Sequence, residues 1–221
     1  MIEKIKSNLL QIQEKIVPYT VNIIAVTKYY DTDVMLSAYK AGLRHFGESR
    51  AVDAVRKINE LPNDVRVNST FHFIGHLQSN KVKLVVNNFD YIHSVDSLKL
   101  AQIISDEAIK ADKKQKVFLQ LNNANEEQKF GFSKEELLKD FKAIIALEGL
   151  EVLGLMNIAP LTDSKEELSY LFKDVKDFQK ELETTYGFKL NDISMGMSND
   201  YHIAVKHGAT MLRIGRKLFS T

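Results

Sequence analysis

At 221 residues the chain has the length for one large domain or two small ones, with room for a real hydrophobic core. Its 44% hydrophobic and 27% charged residues are those of an ordinary globular protein, and a net charge of +1 excludes a strong pull toward nucleic acid or an anionic membrane. No cysteine is present, which removes disulfides, thiolate metal sites and cysteine nucleophiles. No apolar run approaches the roughly 18 residues that cross a bilayer.

The first segment, Met1-Ile2-Glu3-Lys4-Ile5-Lys6, is amphipathic and lacks a signal peptide's apolar centre, so a cytoplasmic protein is expected. Residues 4 to 16 carry Ile5, Leu9, Ile12 and Ile16 as a helical stripe closed by Pro18. Val21-Asn22-Ile23-Ile24-Ala25-Val26-Thr27-Lys28 then reads as a first strand buried on both faces, as in a parallel sheet covered by helices. Asp31 or Asp33 caps a helix over Val34, Met35, Ala38 and Tyr39 that stops at Gly42, and Leu43 to Glu48 forms a second strand. A helix through Val52, Val55 and Ile58 ends before Pro62. Thr70 to Gly75 is the third strand, with a helix around Val82, Leu84 and Val85. Phe89 to Ser94 is the fourth, with Asp96 capping a helix from Leu98 to Ile109. Lys116 to Asn122 is the fifth, and a polar loop to Gly131 leads to a helix opened by a Ser133/Glu136 capping box. Leu150 to Met156 is the sixth, and a long helix from about Lys165 to Thr185 leads to Asp192-Ile193-Ser194, the seventh. A helix from about Ser198 to His207, stopped by Gly208, precedes the eighth, Met211 to Ile214. Eight strands alternating with helices predict an α/β fold, a single (β/α)8 TIM-type barrel over residues 1–221 with an extra N-terminal helix. A doubly wound open sheet is the competing architecture and more often carries fewer strands.

Three places can carry chemistry. Lys28 ends its strand at the barrel mouth, where desolvation frees an amine to attack a carbonyl; the bland alternative is a lysine that snorkels outward. Ser194-Met195-Gly196-Met197-Ser198 joins the seventh strand to its helix, with Ser198 as N-cap and Gly196 allowing close backbone approach, a phosphate-binding arrangement or simply a capped helix. Arg213-Ile214-Gly215 ends the eighth strand, which closure places beside the first. Its arginine faces Lys28's neighbourhood or pairs with Glu48 or another barrel carboxylate, and Gly215 admits a second phosphate contact. His72 and His76 stand four apart, but Gly75 and strand character make a metal pair a poor reading; His93, His202 and His207 read as surface or satisfied core residues. No Gly-x-Ser-x-Gly elbow supports Ser-His-Asp catalysis.

Ala25-Val26-Thr27-Lys28, Phe46-Gly47-Glu48, the ten residues from His72 to Lys81, His93-Ser94-Val95-Asp96, Gly154-Leu155-Met156, Ser194 to Ser198 and Arg213-Ile214-Gly215 occur in one order over nearly the whole chain. Together they resemble the pyridoxal phosphate homeostasis protein family, relatives of the N-terminal domain of alanine racemase. The resemblance implies a fold-type III barrel holding pyridoxal 5′-phosphate (PLP) as a Schiff base on Lys28. Ser198 and the Gly215 region would hold the phosphate, Arg213 would face the pyridine nitrogen, and Ser194, Gly196, Ile214 and Met156 would complete the cofactor-binding set. An arginine keeps its proton, so the ring nitrogen stays unprotonated and the ring becomes a weaker electron sink. The sequence departs from the family at Ser49-Arg50, where Asn followed by Tyr or Arg is common, and at its Phe219-Ser220-Thr221 end, where a Gly and a basic residue are usual.

The function so implied is to carry or buffer PLP in intracellular vitamin B6 homeostasis, without catalytic turnover and with PLP-dependent apoenzymes as recipients. A PLP-dependent amino-acid racemase of weak or narrow activity is the alternative. Racemisation needs a proton donor on each face of a carbanion, and only the Lys28 face is evident; Tyr29 and Tyr30 adjoin the lysine without being placed opposite it. Alanine racemases append a further domain that supplies that second acid/base and closes the site; this chain has no room for one after its eighth strand, so the mouth is expected to be open to water. A barrel binding some other phosphate ester is a third reading, and whether a second lysine, such as Lys81 or Lys129, holds the cofactor in transit is left open by the sequence. Nothing specifies an interface, and a monomer is expected.

Overall fold

The computed structural model describes residues 1–124 and 130–220. Helix α1 (Ile2–Ile16) precedes β1 (Asn22–Val26), and α2 (Thr32–Lys40) leads to β2 (His45–Glu48). After α3 (Ala51–Glu60) and a short α4 (Asn63–Val67) comes β3 (Thr70–Phe73), then α5 (Val82–Asn88), β4 (Tyr91–Val95), α6 (Leu98–Lys110) and β5 (Gln115–Leu121). The second half runs α7 (Lys134–Ile145), β6 (Leu150–Asn157), α8 (Lys165–Tyr186), β7 (Asp192–Ser194), α9 (Tyr201–Ala204), β8 (Met211–Ile214) and α10 (Arg216–Phe219). All eight strands are parallel and close in sequence order, with β8 pairing back onto β1 through Ile24↔Arg213 and Ala25↔Ile214. The expected (β/α)8 barrel is therefore the observed one. Among the described residues no helix is long and apolar enough to cross a membrane.

Side-chain caps fix the starts of α6, α7 and α8. The Ser133 hydroxyl accepts from Glu136 N at 3.1 Å while the Glu136 carboxylate accepts from Ser133 N at 2.9 Å, the anticipated capping box. Ser97, rather than Asp96, caps α6 by accepting from Leu100 N at 3.2 Å; Asp96 instead faces His76. The expected helix from Ser198 to His207 is shorter, because Asp200 sits at its N-cap and turns its carboxylate back to accept from Met197 N at 2.5 Å. The buried face of α3 is Ala51, Ala54, Lys57 and Ile58, whereas Val52 is 61% exposed, so the apolar pattern Val52/Val55/Ile58 misplaces that helix's inner face. Helices α4 and α10 are too short to carry a periodic signal.

The main core lies between the helices and the outside of the barrel, and a smaller one, Ile24, Phe118, Met156 and Met211, forms a second cluster. The barrel interior also holds polar side chains. His93 on β4 reaches Ser194 on β7 at 2.8 Å, and strands that are not neighbours meet this way only across the lumen.

Candidate functional site

A cavity of about 470 Å³ opens at the carboxyl ends of the strands, the end where barrels of this kind place their ligands. Lys28, Ser198, Arg213 and Gly215 all line it, joined by Tyr30 and Asp200. Four of the eight expected site residues thus converge at the ends of three strands, β1, β7 and β8. The other four stand behind them: Ser194 hydrogen-bonds Arg213, Ile214 is buried in β8, Met156 packs in the cluster with Ile24 and Phe118, and Gly196 makes the turn. Gly196 has φ +93°, and a Cβ there would sit 2.7 Å from Ala204 Cβ and 2.9 Å from Leu212 Cδ2, so the turn admits only glycine without strain.

Lys28 follows the last ladder residues of β1, with Thr27 N still bonded to Gly47 O at 3.0 Å. The lysine is half-buried, its ammonium 5.0 Å from the Tyr29 ring centroid. What fixes this turn is a residue that the sequence reading does not single out. Lys57 on α3 is fully buried, and its Nζ donates to Thr27 O at 3.0 Å, to Tyr30 O at 3.0 Å and to Glu48 Oε1 at 2.6 Å. The two carbonyls bracket Lys28, so a buried ammonium holds the turn that carries it. Glu48 Oε1 also accepts from the Thr27 hydroxyl at 2.7 Å, whereas Oε2 has no hydrogen-bond partner among the described residues. Burial pushes the Glu48 carboxyl above its ordinary range, against the opposing pull of the Lys57 and Thr27 bonds. Glu48 is therefore spent on Lys57, and the Glu48–Arg213 pair offered as the alternative does not form.

Arg213 is 4% exposed and pairs with no carboxylate among the described residues. Nη1 donates to Ser194 O at 2.8 Å and to Ser194 Oγ at 2.7 Å, and Nη2 donates to Asn157 O at 2.7 Å. Burial lowers its pKa to about 10, with the Asp200 charge acting the other way. The neutral acceptors take three of the five guanidinium N–H donors, leaving two for a ligand. The Ser198 hydroxyl accepts from Lys217 N at 3.2 Å, which ties the turn after β7 to the one after β8 and leaves its hydrogen to donate. Ser198 does this as part of the turn and not as an N-cap. Asp200, its carboxyl raised by burial against the Met197 N–H bond and the Arg213 charge, is the acidic residue lining the cavity, against Lys28, Arg213 and Arg216. The balance is positive and suits an anion.

The two histidines four apart go separate ways. His72 is fully buried and bonds His45 and His93, while His76 stacks on Phe130 at 3.6 Å and pairs with Asp96 at 3.3 Å. His93 is a buried, satisfied core residue, as expected. Ser49, Arg50 and Lys81 line a different hollow together with Gln78, and Lys129 lies outside the described residues.

This donor set fits PLP. A primary amine faces the cavity, an aromatic nitrogen would supply the lone pair the buried guanidinium lacks, and the Ser198 hydroxyl with the 215–217 turn offers neutral donors to a phosphate.

The fold and site define a barrel of the type described as "Alanine racemase, N-terminal domain", the family model that matches residues 2–221. A pyridoxal phosphate homeostasis protein of Synechocystis is 40% identical over 202 residues, 91% of this chain and 92% of that one. PipY of Synechococcus elongatus, solved without PLP, superposes with a TM-score of 0.91 at 36% identity, covering 98% of this chain and all of that chain. The same protein with PLP bound gives 0.88 at 35% identity and the same coverage. The chain belongs to the pyridoxal phosphate homeostasis protein family.

Proposed function

We propose that this protein binds PLP in the cavity between Lys28, Ser198 and Arg213, takes part in PLP homeostasis, and does not turn over a substrate. The observation that carries this is Arg213: a buried guanidinium with no carboxylate partner among the described residues and two N–H donors to spare, lining the same cavity as a lysine amine. Bound there, PLP supplies an aldehyde that an amine can attack and a ring able to withdraw electrons. Lys28 anchors it as a Schiff base, and Ser198 with the Gly215 turn takes the phosphate. Arg213, a donor with no lone pair to accept a proton, keeps the ring nitrogen unprotonated and so weakens that withdrawal. Ser194, Gly196, Ile214 and Met156 shape the site without lining it.

A holding role rather than racemisation is supported by the relatives' name and by the tyrosines beside Lys28. Tyr29 is 74% exposed and the Tyr30 ring packs on Phe219 at 4.8 Å, so neither is fixed across the cavity as a second acid/base. Release to PLP-dependent apoenzymes, action as a monomer of one barrel domain and a cytoplasmic location belong to the same reading.

The test is the visible absorption spectrum of the purified protein with added PLP, before and after borohydride, beside Lys28→Ala. The expected result is a band that borohydride fixes onto Lys28 and that the variant lacks. A wild-type protein that stays colourless with PLP would overturn the proposal and favour another phosphate ester.

A further inference from the structure

Barrel interiors are normally filled by branched apolar side chains. Here a continuous line of polar groups crosses the lumen instead. Arg213 Nη1 donates to Ser194 Oγ at 2.7 Å, Ser194 Oγ lies 2.8 Å from His93 Nδ1, His93 Nε2 lies 2.9 Å from His72 Nδ1, and His72 Nε2 lies 2.9 Å from His45 Nδ1. His72 and His93 are fully buried, and His45 is half-buried where β2 begins, at the end of the barrel opposite the cavity. Tyr91 stacks on His72 at 4.5 Å and Phe118 on His93 at 4.4 Å, so the rings are held flat in place.

The chemistry of the arginine end gives this line a direction. A guanidinium only donates, so the Ser194 oxygen receives Nη1 and its own hydrogen turns to its other polar neighbour among the described residues, His93 Nδ1. His93 must then carry its proton on Nε2 and donate to His72 Nδ1. His72 in turn carries its proton on Nε2 and donates to His45 Nδ1. Reversing the line would leave the Ser194 hydroxyl hydrogen buried without an acceptor, a penalty that disfavours that arrangement by about tenfold or more. Burial also depresses the pKa of all three histidines, most strongly His72 and His93, with the Asp90 charge opposing this only at His45. The rings are neutral, and each is satisfied in one tautomer.

We propose that His93, backed by His72 and His45, is a positioning residue for Arg213: by taking the Ser194 hydroxyl hydrogen it makes that oxygen a fixed acceptor, which stops the guanidinium from turning. Ser194 holds both hydrogens of Nη1, through its side chain and its backbone carbonyl, and Asn157 O holds Nη2. With the serine rotor locked, the remaining donors are held in one orientation at the cavity that Arg213 lines. That the beneficiary is a PLP ring nitrogen rests on the function proposed above; the locking itself does not.

Two substitutions separate hydrogen bonding from packing. His93→Gln can accept from Ser194 through its carbonyl and donate to His72 through its amide, whereas His93→Phe keeps a flat ring against Phe118 and does neither. The first readout is nitrogen NMR of PLP-free protein. Wild type and His93→Gln are expected to show separate, slowly exchanging Arg213 Nη signals, and His93→Phe to show them averaged; long-range spectra should place the His93 proton on Nε2. The second readout is PLP affinity and band position, with His93→Gln close to wild type and His93→Phe weaker by about tenfold with a displaced band. Retained Arg213 signals in His93→Phe, equal loss in both variants, or a His93 proton on Nδ1 would overturn the positioning role. Arg213 signals that behave as expected while PLP affinity stays the same in all three proteins would leave the lock standing and refute Arg213 as the ring's partner. Should His93→Phe fail to fold, the His93→Gln spectra and the wild-type tautomers decide.

Discussion

Replacing Lys57 by methionine removes one charge of a pair in which both side chains are 1% exposed. Methionine keeps the length of the side chain but offers no donor to Thr27 O, Tyr30 O or Glu48 Oε1, now at 3.0, 3.0 and 2.6 Å from Nζ. Breaking a buried ion pair from one side costs about 3–5 kcal/mol, because the surviving charge stays buried. For a chain of this size that is a loss of roughly 6–20 °C in melting temperature. The loss has a pH signature. The Glu48 carboxyl is already held above its ordinary range by burial, and without Lys57 it rises further. The native variant then binds a proton that the unfolded chain has released, so its stability falls as pH rises through that window, at up to about 1.36 kcal/mol per pH unit. Urea titrations at pH 5 and pH 8 are expected to show the gap to wild type narrowing at pH 5. Adding Glu48→Gln should recover part of the loss in a double-mutant cycle. A variant within about 0.5 kcal/mol of wild type, or a gap unchanged between the two pH values, would refute the account.

The histidine line predicts acid sensitivity. His72, His93 and His45 all have depressed native pKa values, so below the unfolded value of 6.5 the unfolded chain takes up protons that the native chain refuses, and stability falls with pH. The urea midpoint should drop from pH 7 to pH 5, opposed in part by Glu48, and His72→Phe should flatten the drop; a flat wild-type profile would contradict burial of neutral rings. Gly196→Ala forces a Cβ to within 2.7 Å of Ala204 Cβ at φ +93° and is expected to lose about 2 kcal/mol in thermal melts. Ser198→Ala removes the bond from Lys217 N and a donor to the phosphate, so PLP should bind about tenfold more weakly by fluorescence titration with the melting temperature nearly unchanged.

The barrel is legible in the sequence because each strand is a short β-branched or aromatic run between helix-length segments, and the alternation survives errors of one or two residues at every end. Lys28, Ser198, Arg213 and Gly215 are legible because each ends a strand or starts the following turn. Lys57 is not, since a lysine on an amphipathic helix ordinarily belongs to the wet face. Its one local signal is the small-residue line Ala51–Ala54 that continues into Lys57 and Ile58, the face that is in fact buried. The histidine line is harder still. His45, His72 and His93 are 27 and 21 residues apart, about one strand–helix unit each, but that they share the lumen follows only from the register Gly47↔His72 and His72↔Tyr91.

Both buried cations obey one logic. Lys57 and Arg213 are both held by backbone carbonyls, with the Glu48 carboxylate, outside the cavity lining, added at Lys57 and the neutral Ser194 hydroxyl added at Arg213. A carboxylate salt bridge at Arg213 would have satisfied it without a ligand and left the cavity with nothing to offer an aromatic nitrogen. Tying it to Ser194 and Asn157 instead fixes its direction while no carboxylate among the described residues pairs with it. The same arrangement explains why the supporting groups are polar where a barrel is usually greasy: an apolar filling could pack against the guanidinium but could not tell it which way to point.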